Sequence, residues 1–176
     1  MANREKSMHT LSVLVEDVDG IMSRVSGMFT RRGYNMHSIN SAKTEVPGFN
    51  RITVVVWADE VHIEQITKQL NKLINVIKVV RFEDEAAIAR GFLMVKVAAD
   101  TSNRPQVVDA AKLFRARVID VARESVIIEA TGGEAKLKAL LEVLEPFGIL
   151  ELIQCGQIAL GRGPRTMMPP ALRQQN

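Results

Sequence analysis

The 176 residues suffice for one ordinary domain or two small ones, and 47% hydrophobic with 24% charged residues is the mix of a globular protein. No run approaches the ~20 consecutive apolar residues that span a bilayer, and the opening MANREKSMHT lacks the apolar stretch of a secretion signal, so the expected location is cytoplasmic. The formal charge of +3 is carried entirely by Arg162, Arg165 and Arg173 in the acid-free last fifteen residues. That leaves a neutral body with 5% aromatic residues, poor material for a nucleic-acid groove.

The elements follow in chain order. Leu11, Val13 and Val15 alternate with their neighbours up to Glu16, the period of a strand. After the turn-like EDVDG, Ile21, Val25, Met28 and Phe29 lie on one face of a helix that stops at Gly33. Residues 34–44 and 50–58 read as strands joined by a turn at Pro47-Gly48. A second helix carries Ile63, Ile66, Leu70, Leu73 and Ile74, and NVIKVVRF closes the unit near Phe82. Beyond the polar joint EDEAAIAR the order repeats: a strand at 91–98, and a helix at 104–114 with Pro105 early, where its missing N–H costs little. Strands at 117–122 and 125–131 follow, then a helix with Leu137, Leu140, Leu141 and Leu144, and a last strand at 149–158.

This order predicts an α+β chain of two consecutive ferredoxin-like βαββαβ domains, 9–83 and 90–161, with a flexible basic tail at 162–176. Units this small leave a sheet face or edge bare, so a dimer or larger assembly is expected.

Chemistry is sparse. A single cysteine excludes internal disulfides and cysteine-built zinc sites, and His9, His37 and His62 show no ligand spacing, so no metal site is expected. Cys155 alternates with apolar neighbours and reads as a small buried hydrophobe. Arg51 and Trp57 read as surface or interface residues. There is no GxxxxGK[ST] and no GxGxxG, and the acidic EDVDG would repel a phosphate. No catalytic residue is assigned; the chain reads as a binding module.

The turn Asp17-Val18-Asp19-Gly20 is the informative segment. Gly20 permits a tight bend, the helix starting at Ile21 and Met22 aims free N–H groups into it, and Asp17 can accept from an ammonium group. Together these are the minimum for a free α-amino acid; the alternative is that Asp19 only caps the helix. Asn35, expected near the same end of the unit, is either a zwitterion contact or a turn asparagine.

HTLSVLVEDVDGIMSRVSGMFTRRGYN, NRITVVV, IEQITKQLNKLINVIKVV, RPQVVDAAKLFRARVIDV and the run VIIEATGG through GRGPR strongly resemble the regulatory (small) subunit of acetohydroxyacid synthase, also called acetolactate synthase. The likeness spans residues 9 to about 165 and is similar to actinobacterial members. It implies that the first domain is of ACT type and that the chain is non-catalytic. It implies a thiamine-diphosphate-dependent large subunit as partner, which the chain activates and makes sensitive to valine. Thiamine diphosphate, FAD and Mg are expected on that catalytic subunit and none on this chain. The resemblance carries effector binding to Asp17, Gly20, Ile21, Met22, Asn35 and Met36, between ACT domains of two chains. Many members have asparagine at Asp17 and proline at Asp19, departures that bear on preference among valine, isoleucine and leucine. Two other readings stand beside it: a stand-alone tandem amino-acid sensor with another partner, and a nucleic-acid-binding regulator, disfavoured by the neutral body.

Overall fold

The computed structural model describes residues 5–83 and 85–173, in two compact units. The first contains β1 (Ser7–Glu16), α1 (Ile21–Arg32), β2 (Met36–Lys43), β3 (Phe49–Ala58), α2 (Glu60–Leu70) and β4 (Val76–Phe82). Its sheet has the order β2-β3-β1-β4, with β1 antiparallel to both β3 and β4 and β2 antiparallel to β3. Odd-numbered Leu11, Val13 and Val15 meet Val25, Phe29, Ile63 and Ile66 of the helices in one core.

Local chemistry sets the helix ends. Gly33, at φ 66°, turns its N–H back to the carbonyls of Phe29 and Thr30, and Arg31 and Arg32 stand at the negative end of the α1 dipole. Asp59 caps α2 by accepting from the His62 N–H at 2.9 Å. That helix ends sooner than its apolar periodicity predicts: Leu73 still packs on the core, but Ile74 is 77% exposed.

The second unit holds β5 (Ala87–Ala98), α3 (Arg104–Leu113), β6 (Arg117–Val121), β7 (Ser125–Gly132) and α4 (Glu134–Leu144). A 3-10 turn at Glu145–Phe147 leads into β8 (Ile149–Gly161), and the sheet order is β6-β7-β5-β8. Leu93, Val95 and Val97 face Val107, Ala111, Leu137, Leu140 and Leu144. Each unit therefore has the βαββαβ plan, a four-stranded antiparallel sheet interleaved with two helices.

The domain bounds, the tail with its charge, and Cys155 differ from expectation. The compact second unit spans 89–157, and residues from 158 onward belong to the first. The segment expected as a free basic tail is folded: Met167 and Met168 are buried with Leu14 and Val46, flanked by Phe49, Ile77, Val80 and Leu172. Burying two methionines contributes roughly 1.5–3 kcal/mol each, enough to hold a short segment down. It ends in α5 (Pro170–Arg173), where Arg173 meets Glu45 at 3.2 Å. The tail arginines thus join a folded unit, so the body is not neutral. Cys155 is exposed, because β8 is an edge strand with Leu150, Leu152 and Ile153 exposed as well.

Candidate functional site

Where β1 ends, the Asp17 N–H donates to the Gly48 carbonyl at 2.8 Å, and the Val18 N–H to that of Glu16 at 3.0 Å. Gly20 then takes φ 77° and ψ 3°, a left-handed conformation costing other residues about 1–2 kcal/mol. A Cβ there would meet nothing within 4 Å, so the glycine serves the backbone bend and leaves open space above it. α1 starts directly behind it with no side-chain cap and no acid in its first turn. Asp19 therefore does not cap the helix, and the first N–H groups after Ile21, those of Met22 and Ser23, have no carbonyl one turn back within the helix.

Asparagines brace this turn. Asn50 Nδ2 donates to Asp17 Oδ1 at 2.7 Å, tying the carboxylate to β3 while leaving it lone pairs for a further donor. Asn75, itself at φ 72°, donates through its side-chain amide to Glu16 and accepts from Arg24 at 2.5 Å. The Glu16 N–H in turn donates to the Asn75 carbonyl at 2.9 Å. Asn50, Asn75 and Arg24 were not among the expected site residues; only Asn75, an asparagine between a helix end and a strand, carried a signal for it.

Ile21 is 4% exposed and its N–H is used by the Val18 carbonyl, so its side chain belongs to the core. Met22 and Met36 are half-buried against the same core. Asn35 is exposed, and it does not lie at the expected end. Met36 pairs with Val56, which pairs with His9, whereas Val15 pairs with Asn50. From His9 to Val15 is six residues of strand, roughly 20 Å. Within one chain Asn35 and Gly20 therefore lie at opposite ends of the sheet, and no amino-acid-sized ligand reaches both. At its own end Asn35 lines a cavity of about 230 Å³ with Arg32, Tyr34, Trp57 and His62. Trp57 is 48% exposed.

The turn between β5 and α3 is built oppositely. Asp100 Oδ1 accepts from the Ser102 N–H at 2.7 Å, its hydroxyl at 2.6 Å and the Asn103 N–H at 3.2 Å. These bonds, the Ser102 hydroxyl foremost, hold the Asp100 carboxyl below its ordinary pKa. Arg104 covers the carbonyls of Ala99, Ala122 and Arg123. Among the described residues no three His, Cys, Asp or Glu side chains converge as metal ligands, and no helix is long and apolar enough to cross a membrane.

Comparison with known proteins adds the family. The family described as small subunit of acetolactate synthase matches residues 90–163, and the AHAS small subunit-like ACT domain matches 11–78. The chain is 55% identical over 157 residues to an acetolactate synthase small subunit from Mycobacterium bovis, covering 89% of this chain and 94% of that one. A probable acetolactate synthase small subunit from Methanothermobacter thermautotrophicus is 44% identical over 168 residues, with 95% and 100% covered. The crystal structure of the acetolactate synthase small subunit from Thermotoga maritima superposes with a TM-score of 0.85 at 34% identity, covering 90% of this chain and 99% of that one.

Proposed function

The chain belongs to the acetolactate synthase small-subunit family, and on that premise we propose that it activates the catalytic subunit and confers feedback inhibition by valine. A non-catalytic, regulatory role and a large catalytic partner follow from the family; activation, the effector and the assembly are our reading. One observation carries it. The amino-terminal turn combines an uncapped helix start, a left-handed Gly20 with open space above it, and a carboxylate at Asp17.

In this reading the effector carboxylate accepts from the N–H groups of Met22 and Ser23, while Asp17 accepts from the ammonium group. Asn35 supplies the remaining polar contact from a second chain, since its own chain holds it at the far end of the sheet. A two-fold dimer of ACT domains brings the turn of one copy beside the β2 start of the other, giving two equivalent sites. Thiamine diphosphate, FAD and Mg are assigned to the catalytic subunit and none to this chain. Neither a nucleic acid nor a membrane is among the proposed partners.

The deciding experiment is the rate of the purified catalytic subunit with and without this chain, titrated with valine. The expected result is a higher rate on adding the chain and a fall on adding valine. No change in rate on mixing, with both proteins folded, refutes the reading.

A further inference from the structure

The docked segment after β8 changes the charge map of the first unit. With Met167 and Met168 anchored on Leu14 and Val46, Arg162 and Arg165 stand beside Arg51 of β3 and Lys78 of β4. These four cations surround a cavity of about 410 Å³, with Val80 and Phe82 on its apolar wall. Among the described residues Glu45 is the single carboxylate lining it, and that carboxylate already holds Arg173 at 3.2 Å.

The four cations gathered here have no partner of their own among the described residues, unlike several others in the chain. Arg81 is paired with Glu60, Arg117 with Glu129, and Arg104 caps three carbonyls. Among the described residues, no ion pair or side-chain hydrogen bond engages Arg51, Lys78, Arg162 or Arg165. Arg51 is half-buried, and burial draws its pKa down while Glu45 pulls it up from beyond ion-pair distance. Four like charges gathered round a cavity repel one another unless an anion joins them.

We propose that this cavity binds a small phosphorylated polyanion, held by Arg51, Lys78, Arg162 and Arg165, with any uncharged part against Val80 and Phe82. Its volume lies in the range of small-molecule sites, roughly 300–1,000 Å³. The cations ring a pocket in place of a stripe, and among the described residues Phe82 is its one aromatic wall, which favours a compact ligand over a nucleic-acid strand. A monocarboxylate such as an amino acid would leave most of the positive charge unanswered. Because two cations come from the sheet and two from the docked segment, the ligand would also clamp that segment down.

The test is calorimetric titration of the full chain, at constant ionic strength, with inorganic pyrophosphate, ATP and a single-stranded oligonucleotide. Saturable binding of one pyrophosphate or ATP per chain is expected. Tighter ATP assigns the apolar wall to a nucleoside, whereas equal affinity assigns the site to the phosphates alone; both support the cavity. R51Q and R165Q should each weaken binding about tenfold, the worth of one charge-assisted contact. R117Q, in the second unit, should change nothing. R165Q removes an exposed side chain, so it keeps the test decisive if R51Q fails to fold. The ligand should also slow tryptic cleavage after Arg165. Absence of saturable binding, equal binding by R51Q and R165Q, or preference for the oligonucleotide overturns the proposal.

Discussion

At the first turn of the amino-terminal unit, α1 starts behind Gly20 with no side-chain cap. At the matching turn of the second unit, Asp100 already accepts from the N–H groups of Ser102 and Asn103. The folds are alike, and neither α1 nor α3 has a side-chain cap. The loop leading into α3, however, holds a carboxylate bonded to its own N–H groups, where the loop leading into α1 holds Gly20 with open space above it. The two sheets differ in the same spirit. In the first unit, Ser12 and Leu14 of the central strand are wholly buried on the face away from the helices. In the second, Phe92, Met94 and Lys96 remain half-exposed on theirs, and Leu150 and Leu152 of β8 are exposed. A shared architecture thus carries one unit with an open turn and a covered sheet, and one with a closed turn and a bare sheet.

The sharpest way to break this contrast is Gly20→Asp, which gives the first turn an anion of its own. A carboxylate ~4 Å from the effector's would repel it by about 4 kcal/mol at an effective dielectric near 20. Even half of that weakens binding roughly thirtyfold. The new Cβ meets nothing within 4 Å, and aspartate tolerates φ 77° better than most residues, so the domain should fold. The reconstituted complex should remain activated yet need at least thirtyfold more valine for inhibition. Inhibition at the wild-type concentration would remove the turn from the effector site.

Met168→Ala attacks the covered sheet. Met168 is 2% exposed in the cluster with Leu14, and truncating such a methionine costs about 2–3 kcal/mol. Guanidinium denaturation should show that loss. A cost below about 0.5 kcal/mol, the level of an ordinary surface change, would mean that the segment does not dock in solution.

Much of this was legible in the residues. The alternation of Leu11, Val13 and Val15 and the spacing of Val25, Met28 and Phe29 name strand, helix and buried face together, because burial itself imposes those periods. The docking of Met167 and Met168 was not legible, since a short proline-rich run has no period to betray what it touches. Asn35 was misplaced through topology, although a signal existed. A helix between two strands carries the chain back to the end where the first strand began, so β2 starts beside Ser7 and not beside Gly20. Cys155 alternates like a core residue, but alternation cannot say whether anything covers an edge strand.

Ser12→Ala probes the covered face more gently. Ser12 is 0% exposed, its register partners are Thr53 and Val80, and its Oγ has no hydrogen-bond partner. An unpaired buried hydroxyl costs about 1–3 kcal/mol, and alanine removes it for the loss of a few contacts. The variant should be between neutral and about 1 kcal/mol more stable in denaturant titration. A loss of 1 kcal/mol or more would mean that this hydroxyl finds a partner in solution.

Asp100→Asn opens the closed turn by one charge and should have the smallest effect, because Asp100 is fully exposed. The amide keeps an acceptor oxygen for the Ser102 and Asn103 N–H groups but removes the charge that those bonds favour. Since the folded carboxyl titrates below its unfolded value, near 4, its contribution to stability is present above that value. It is lost as pH falls through the lower, folded pKa. Near neutrality the wild type should therefore be slightly more stable than Asp100→Asn. The gap should close as pH falls below about 4, where the wild-type carboxyl also becomes neutral. Denaturant midpoints of the two full-length chains across that range measure it, and a gap unchanged by acid would contradict the assignment. Valine inhibition of the reconstituted complex should be identical for the two proteins. A shift in valine response from Asp100→Asn would mean that the second turn also reads the effector, and the contrast between the two turns would fail.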